Sequence, residues 1–126
     1  MNPRQEYKKL INSFKYAIEG IISSFKTERN MKIHVLAMIV VIALGLFFKL
    51  NKVEWCFIII AIASVISAEL FNTAIETVVD MVSPERNPKA KLAKDIAAGA
   101  VLVVAIGAAI IGFIIFGPQI INVFSK

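Results

Sequence analysis

The side chains best suited to chemistry in this sequence are acidic and amide groups that follow a long apolar stretch. Glu69, Asn72, Glu76 and Asp80, here called the acidic stripe, recur at intervals of three and four residues. At about 100° per residue, a helix places all of them on one face, within an arc of about 100°. A charged group at membrane depth is costly, and several on one stripe also repel each other. We therefore expect a cation, a proton or basic residues to neutralise the acidic stripe.

Short connections place further charged residues near the end of this stripe. Lys94 and Asp95 lie at the start of the helix that follows, and Glu28 closes the segment that precedes the first apolar run. Carboxylate oxygens suit a hard cation such as Mg²⁺, whereas lysine suits a phosphate group. Together, on the side of a membrane that ATP reaches, these groups indicate phosphoryl transfer to a molecule held in the membrane.

Two non-enzymatic functions compete with this hypothesis. A polar stripe on a membrane helix also fits an ion-coupled or proton-coupled transport subunit, or a helix contact in a membrane assembly protein. A transport path needs polar groups along the whole span, whereas residues 55–63 and 96–116 carry no charge. The polar groups gather at one end, which favours chemistry at the membrane interface. The sequence contains no P-loop, HRD or DFG motif, which argues against those two kinase classes.

Composition indicates a small membrane protein with several spans. Of 126 residues, 58 % are apolar and 18 % are charged, and soluble domains are only about 45–50 % apolar. The apolar runs predict an all-α integral membrane protein, formed by one membrane-embedded domain over residues 1–126. An amphipathic pattern over residues 1–30 predicts a helix on the membrane surface. The three transmembrane helices are predicted over residues 33–50, 54–82 and 91–117, the last ending before Pro118 because proline lacks the N–H group.

The distribution of positive charge predicts the orientation in the membrane. The net charge is +5, and eleven of the fourteen lysines and arginines lie ahead of the first span or in the second loop. The positive-inside rule therefore places the N-terminus in the cytoplasm and the C-terminus outside. Because the basic residues flank apolar runs, we expect a multi-pass protein of the plasma membrane. The partner of its basic residues is then the lipid bilayer, and we expect no nucleic-acid partner.

Two segments are similar to motifs of a known family. Residues 67–80 read SAELFNTAIETVVD, and residues 88–101 read PKAKLAKDIAAGAV. They closely resemble the two signatures of the small prokaryotic diacylglycerol kinase family, and the resemblance extends over nearly the whole chain. The segment TERN at residues 27–30, followed by Ile33-His34, and the pair Glu54-Trp55 are most similar to its Gram-positive branch, whose members are undecaprenol kinases.

This resemblance implies a homotrimer of three-span protomers, with active sites shared between neighbours. It implies MgATP as the phosphoryl donor and a membrane lipid alcohol as the acceptor. In the Gram-positive branch the acceptor is undecaprenol and the product is undecaprenyl phosphate. The alternative within the family is a diacylglycerol kinase that makes phosphatidic acid.

The resemblance also implies roles for residues that match the motifs. Glu69 is the expected general base, Asn72 an amide that binds phosphate or orients Glu69, and Lys94 the lysine that steadies the transferring phosphate. Glu28 and Glu76 are the implied Mg²⁺ ligands. The positions implied to bind the nucleotide are Tyr16, Glu28, Glu76, Asp80, Glu85, Lys94 and Asp95. His34 has no evident partner in the sequence and is expected to be an interfacial residue at the start of the first span.

Overall fold

The computed structural model describes all residues from Met1 to Lys126 as an all-helical chain. Its four helices are α1 (Pro3–Thr27), α2 (Arg29–Phe47), α3 (Lys52–Val82) and α4 (Pro88–Phe124). Helices α2, α3 and α4 are each long and apolar enough to cross a membrane. The expectation of an all-α membrane protein with three spanning helices is thereby confirmed. The position of α1 on the membrane surface and the assembly of three copies stay predictions.

A single extended residue separates α1 from α2. Glu28 has φ −100° and ψ 120°, and its N–H donates to the Ser24 carbonyl oxygen at 2.9 Å. Its own carbonyl oxygen accepts from the Lys32 N–H at 3.3 Å. As a result α2 begins at Arg29, rather than at residue 33 where the apolar run starts, because backbone hydrogen bonding continues through the polar first turn. This corner brings Glu28 between the two helices.

The opposite end of α2 packs tightly against the start of α3. Lys49 has φ 54° in the connection, and the Asn51 side chain caps α3 by accepting from the Glu54 N–H at 2.9 Å. The main apolar core lies at this end of the molecule. Its buried members are Leu50, Ile58, Ile115 and Phe116.

Helix α4 differs from its predicted bounds at both ends. It begins at Pro88, capped by the Asn87 side chain, which accepts from the Lys89 N–H at 2.9 Å. It also continues through Pro118 to Phe124. Beyond the proline the Gln119 side chain donates to the Ile115 carbonyl oxygen at 3.4 Å. Pro118 has no N–H to donate to the Ile114 carbonyl oxygen four residues earlier, but a membrane helix tolerates an internal proline, so the missing N–H does not end α4 at residue 117.

Few side chains are buried within one chain. Only 12 of 126 residues are buried, whereas a soluble domain of this length hides most of its apolar residues. The exposed apolar faces of the spanning helices are therefore left to contact lipid or other copies of the chain.

A close approach at Gly45 gives a test of the packing at the α2–α3 connection. A Cβ atom at residue 45 would lie 2.7 Å from Cη2 of Trp55, whereas one at Gly107 would meet nothing within 4 Å. Because the indole ring would have to move, we expect Gly45→Ala to destabilise the fold by about 1–3 kcal/mol. The matched control, Gly107→Ala, is expected to leave stability unchanged or raised. Thermal unfolding in detergent, followed by the fluorescence of the single tryptophan, measures both; equal midpoints would contradict this account of the connection.

Candidate active site

The most deeply buried polar group of the chain is the carboxylate of Glu69. Glu69 is 1 % exposed on α3, and its Oε2 atom has no hydrogen-bond partner. The nearest basic atom is Nε2 of His34 on α2, at 3.6 Å from Glu69 Oε2. This distance is longer than a hydrogen bond and within the range of an ion pair if the imidazole ring carries a proton on both nitrogen atoms.

His34 is the residue of this site that the sequence analysis missed. It was expected to be an interfacial residue without a partner, whereas its ring faces the buried carboxylate and its side chain is only 19 % exposed. One signal was available in the sequence. His34 is the only histidine, and an ionisable residue inside a spanning helix marks a functional site by default.

A polar notch opens beside Glu69, with a volume of about 270 Å³. Helices α2, α3 and α4 all contribute to its wall. The lining residues are Asn30, Ile33, His34, Glu69, Asn72, Ala98, Val101, Leu102 and Ala105. The notch therefore brings Glu69 and Asn72, two members of the acidic stripe, to one accessible surface.

An apolar cavity of about 320 Å³ lies next to the notch, between the same helices. Eleven of its thirteen lining residues are hydrophobic. They include Met38, Ile58, Ile62 and Ala108, and the one ionisable residue of its wall is His34. His34 lines both spaces, so the two meet at the side chain that faces Glu69.

Asn72 lies between Glu69 and Glu76 on the stripe and bonds to Glu76. Its side chain is buried, and Nδ2 donates to Oε1 of Glu76 at 3.3 Å. Its Oδ1 atom has no partner. Glu28 and Glu76 both lie within electrostatic reach of Glu69. The buried end of the stripe thus contains oxygen atoms that remain free to bind a ligand.

Three further predicted residues lie near the loop between α3 and α4. The Lys94 ammonium group donates to Oδ1 of Asp80 at 2.6 Å, which ties the start of α4 to the end of α3. Asp95 forms its ion pair with Lys91 on the exposed face of α4. Because both pairs are largely exposed, each contributes little to stability. Lys94 can therefore exchange Asp80 for another anion at small cost.

A second polar cavity, between α1 and α3, contains Glu28. Its volume is about 530 Å³, and its wall carries five hydroxyl side chains. These are Ser23, Ser24, Thr27, Thr73 and Thr77. The hydroxyl groups of Ser24 and Thr73 are buried without a hydrogen-bond partner. This hydroxyl cavity can therefore accept a polar ligand between the two helices.

Two predicted nucleotide-binding residues lie apart from this cluster. Tyr16 is 64 % exposed on α1 and does not line the hydroxyl cavity. Glu85 lies exposed in the α3–α4 loop, where its carbonyl oxygen accepts from the Ser83 hydroxyl at 3.3 Å. Within a single chain, neither residue joins the acidic stripe.

The acidic residues do not form a metal site by themselves. No group of three or more His, Cys, Asp or Glu side chains is close enough to hold a metal ion. Their chemistry nevertheless suits a hard cation, because magnesium is commonly held by one or two carboxylates together with the phosphate oxygens of a substrate. The carboxylates of Glu28 and Glu76, each within electrostatic reach of Glu69, have the donor chemistry for that kind of site.

Comparison with known proteins identifies the family. The profile described as prokaryotic diacylglycerol kinase matches residues 15–116. The undecaprenol kinase of Bacillus subtilis is 42 % identical to this chain, over 93 % of the chain and 95 % of the relative. A diacylglycerol kinase of Synechocystis is 37 % identical, over 96 % of the chain and 70 % of the relative. One from Haemophilus influenzae is also 37 % identical, over 68 % of the chain and 73 % of the relative.

The matched region contains the whole acidic stripe, together with Glu28, His34 and Lys94. The family expected from the two sequence motifs is thereby confirmed. The competing transport and assembly functions are set aside, since the relatives are kinases. The chain belongs to the prokaryotic diacylglycerol kinase family, and it is a lipid kinase.

Proposed function

We propose that this protein transfers the γ-phosphoryl group of ATP to the hydroxyl group of undecaprenol, giving undecaprenyl phosphate and ADP. The observation that carries the proposal is the position of Glu69. Its buried carboxylate lies at the polar notch, and the adjoining apolar cavity begins at His34. A lipid alcohol can therefore place its hydroxyl group in the notch while its tail stays in apolar surroundings.

The wall of the apolar cavity favours a polyprenol over diacylglycerol as the acceptor. In undecaprenol, only hydrocarbon follows the hydroxyl-bearing carbon. Diacylglycerol has two ester groups close to its hydroxyl, and the mostly hydrophobic wall offers them few donors. A buried carbonyl without a donor is costly. Similarity to the undecaprenol kinase of Bacillus subtilis supports the same acceptor, whereas the diacylglycerol kinases among the relatives support phosphatidic acid synthesis as the alternative.

The nucleotide is proposed to bind at the end of the acidic stripe near the α3–α4 loop. The hydroxyl cavity and Glu28 offer polar groups on the α1 side, and Lys94 offers a cation on the α4 side. The further nucleotide-binding positions in this proposal are Tyr16, Asp80, Glu85 and Asp95. Glu28 and Glu76 would hold Mg²⁺, which neutralises charge on the phosphate oxygens when it is bound.

Each step of the transfer has a residue suited to it. Glu69 accepts the proton of the lipid hydroxyl as that oxygen forms its bond to the γ-phosphorus. The bond between the γ-phosphorus and the bridging oxygen breaks, and ADP leaves with the electron pair. Asn72 orients Glu69 or binds a phosphate oxygen. Lys94 leaves Asp80 and stabilises the negative charge that develops on the transferring group.

The assembly and orientation in this proposal follow the sequence analysis. Three copies form the enzyme, with active sites shared between neighbours. The protein spans the plasma membrane with its N-terminus in the cytoplasm, so the loop between α3 and α4 faces the compartment that contains ATP. The extensive exposed apolar surface of a single chain supports contacts with both lipid and other copies.

The acceptor is tested by lipid phosphorylation in mixed micelles with MgATP, offering undecaprenol or dioleoylglycerol at equal mole fraction. We expect kcat/KM for undecaprenol to be at least about tenfold higher, because an acceptor that leaves buried polar groups unpaired is rejected. A preference for dioleoylglycerol would be consistent with the proposed phosphoryl transfer but would contradict undecaprenol as the acceptor. Transfer to neither lipid by a folded preparation would overturn the proposed function.

Glu69→Gln tests the general base. The substitution keeps the shape of the side chain but removes its ability to take a proton, so we expect turnover to fall about 10²- to 10⁴-fold. The matched control is Glu54→Gln, the same change at the far end of the same helix. Lipid phosphorylation is measured for both variants, with oligomeric state checked by size-exclusion chromatography. Normal turnover by Glu69→Gln would remove Glu69 from the mechanism.

Lys94→Leu tests stabilisation of the transferring phosphate. If Lys94 acts on charge that develops in the transition state, we expect kcat to fall about 10²- to 10³-fold with little change in KM for the lipid. Lys91→Leu is the matched control, since Lys91 lies one helical turn away and pairs with Asp95 instead. Steady-state kinetics with varied undecaprenol separates the two parameters. An effect confined to the lipid KM would contradict this role.

A further inference from the structure

We infer that His34 is a positioning residue for Glu69: its Nε2 atom holds the Glu69 carboxylate at the polar notch, and it thereby sets the rate of turnover rather than the binding of the lipid. This inference rests on the proposed function, in which Glu69 accepts the proton of the acceptor hydroxyl. The family resemblance assigns no role to residue 34, which lies outside the two signatures at residues 67–80 and 88–101.

The charges around Glu69 leave His34 as its one favourable partner. The Glu28 and Glu76 carboxylates lie within electrostatic reach and repel it, whereas His34 attracts it. Lys94, the cation of the predicted site, is paired with Asp80. Without His34, the buried Oε2 atom of Glu69 would have neither a hydrogen-bond partner nor a basic group within 4 Å. A carboxylate in that position would turn away from its repelling neighbours.

The backbone around His34 is fixed strongly enough for such a role. Met31, one turn earlier on α2, is 1 % exposed. Its burial anchors the first turn of α2 against the other helices, and the corner at Glu28 sets where that turn begins. Packing therefore determines where His34 lies along the axis of α3 and in which direction its ring points. A positioning residue requires this, since its own rotamer must be held.

An imidazole ring also suits the junction of the two spaces. His34 lines both the polar notch and the apolar cavity. Histidine presents an apolar body and a polar tip, so the ring can border the cavity while Nε2 faces the carboxylate. A small movement of either side chain would shorten the distance of 3.6 Å between Nε2 and the carboxylate to that of a hydrogen bond.

The test compares three substitutions of His34 that differ in where they place a donor. In His34→Gln the amide nitrogen lies near the position of Nε2, whereas in His34→Asn it lies near that of Nδ1; His34→Leu has no donor. We expect His34→Gln to retain turnover within about threefold, and the other two variants to lose about 10- to 100-fold in kcat, as a misplaced catalytic group does. KM for undecaprenol should change little in all three. Leu44→Val, which alters packing on the apolar core at the other end of α2, is the control for packing, and it should leave kcat unchanged.

A second comparison distinguishes positioning from a general effect on the fold. In the Glu69→Gln background, His34→Asn should cause no further loss of the residual rate, because the group that it positions has been removed. Additive losses would overturn the inference, as would equal turnover by His34→Gln and His34→Asn. If His34→Leu does not fold, the Gln and Asn pair decides the question alone. An inactive wild-type protein would instead indicate failure of the proposed function, so the two failures are distinguishable.

Discussion

The free-energy cost of keeping an acidic side chain inside a membrane bundle constrains this entire structure. Glu69 is almost completely buried, and one of its oxygen atoms has no hydrogen-bond partner. Burial of a charge is tolerated only where other groups compensate it. Here the compensation is partial, because one histidine lies nearby while two further carboxylates are within electrostatic reach. A buried carboxylate with so little compensation is a cost to stability, and the proposed role of Glu69 as a proton acceptor close to lipid would account for its presence.

The rest of the fold separates the packing that stabilises the chain from the end that contains this buried carboxylate. The apolar core at the α2–α3 connection lies away from the acidic stripe and holds α2, α3 and α4 together. At the opposite end, the exposed ion pair of Lys94 with Asp80 joins α4 to α3. Stability and chemistry are thus separated along the helices. One end contains the packed apolar core, while the other has unpartnered oxygen atoms and a cation that can exchange its partner.

The part of this arrangement that could be predicted from the sequence depends on spacing within a single helix. Glu69, Asn72, Glu76 and Asp80 recur with the helical period, so their common face needed no tertiary information. The bounds of α2 and α4 were harder to predict, because backbone hydrogen bonds continue through the polar turn at Arg29 and past Pro118. The sequence also could not show which residue of α2 faces Glu69. That contact depends on the rotation of one helix about its axis, which the buried Met31 and the corner at Glu28 determine together.

The most direct test of the central claim, that Glu69 is a buried proton acceptor for a lipid hydroxyl, is chemical rescue. Glu69→Ala removes the carboxylate and enlarges the polar notch, so added formate has room to occupy its place. Lipid phosphorylation by this variant is measured with MgATP and undecaprenol as the formate concentration is raised. The account predicts that formate restores turnover to Glu69→Ala in a saturable manner, and that it does not restore Lys94→Leu. Wild-type turnover by Glu69→Ala in the absence of formate would contradict the account.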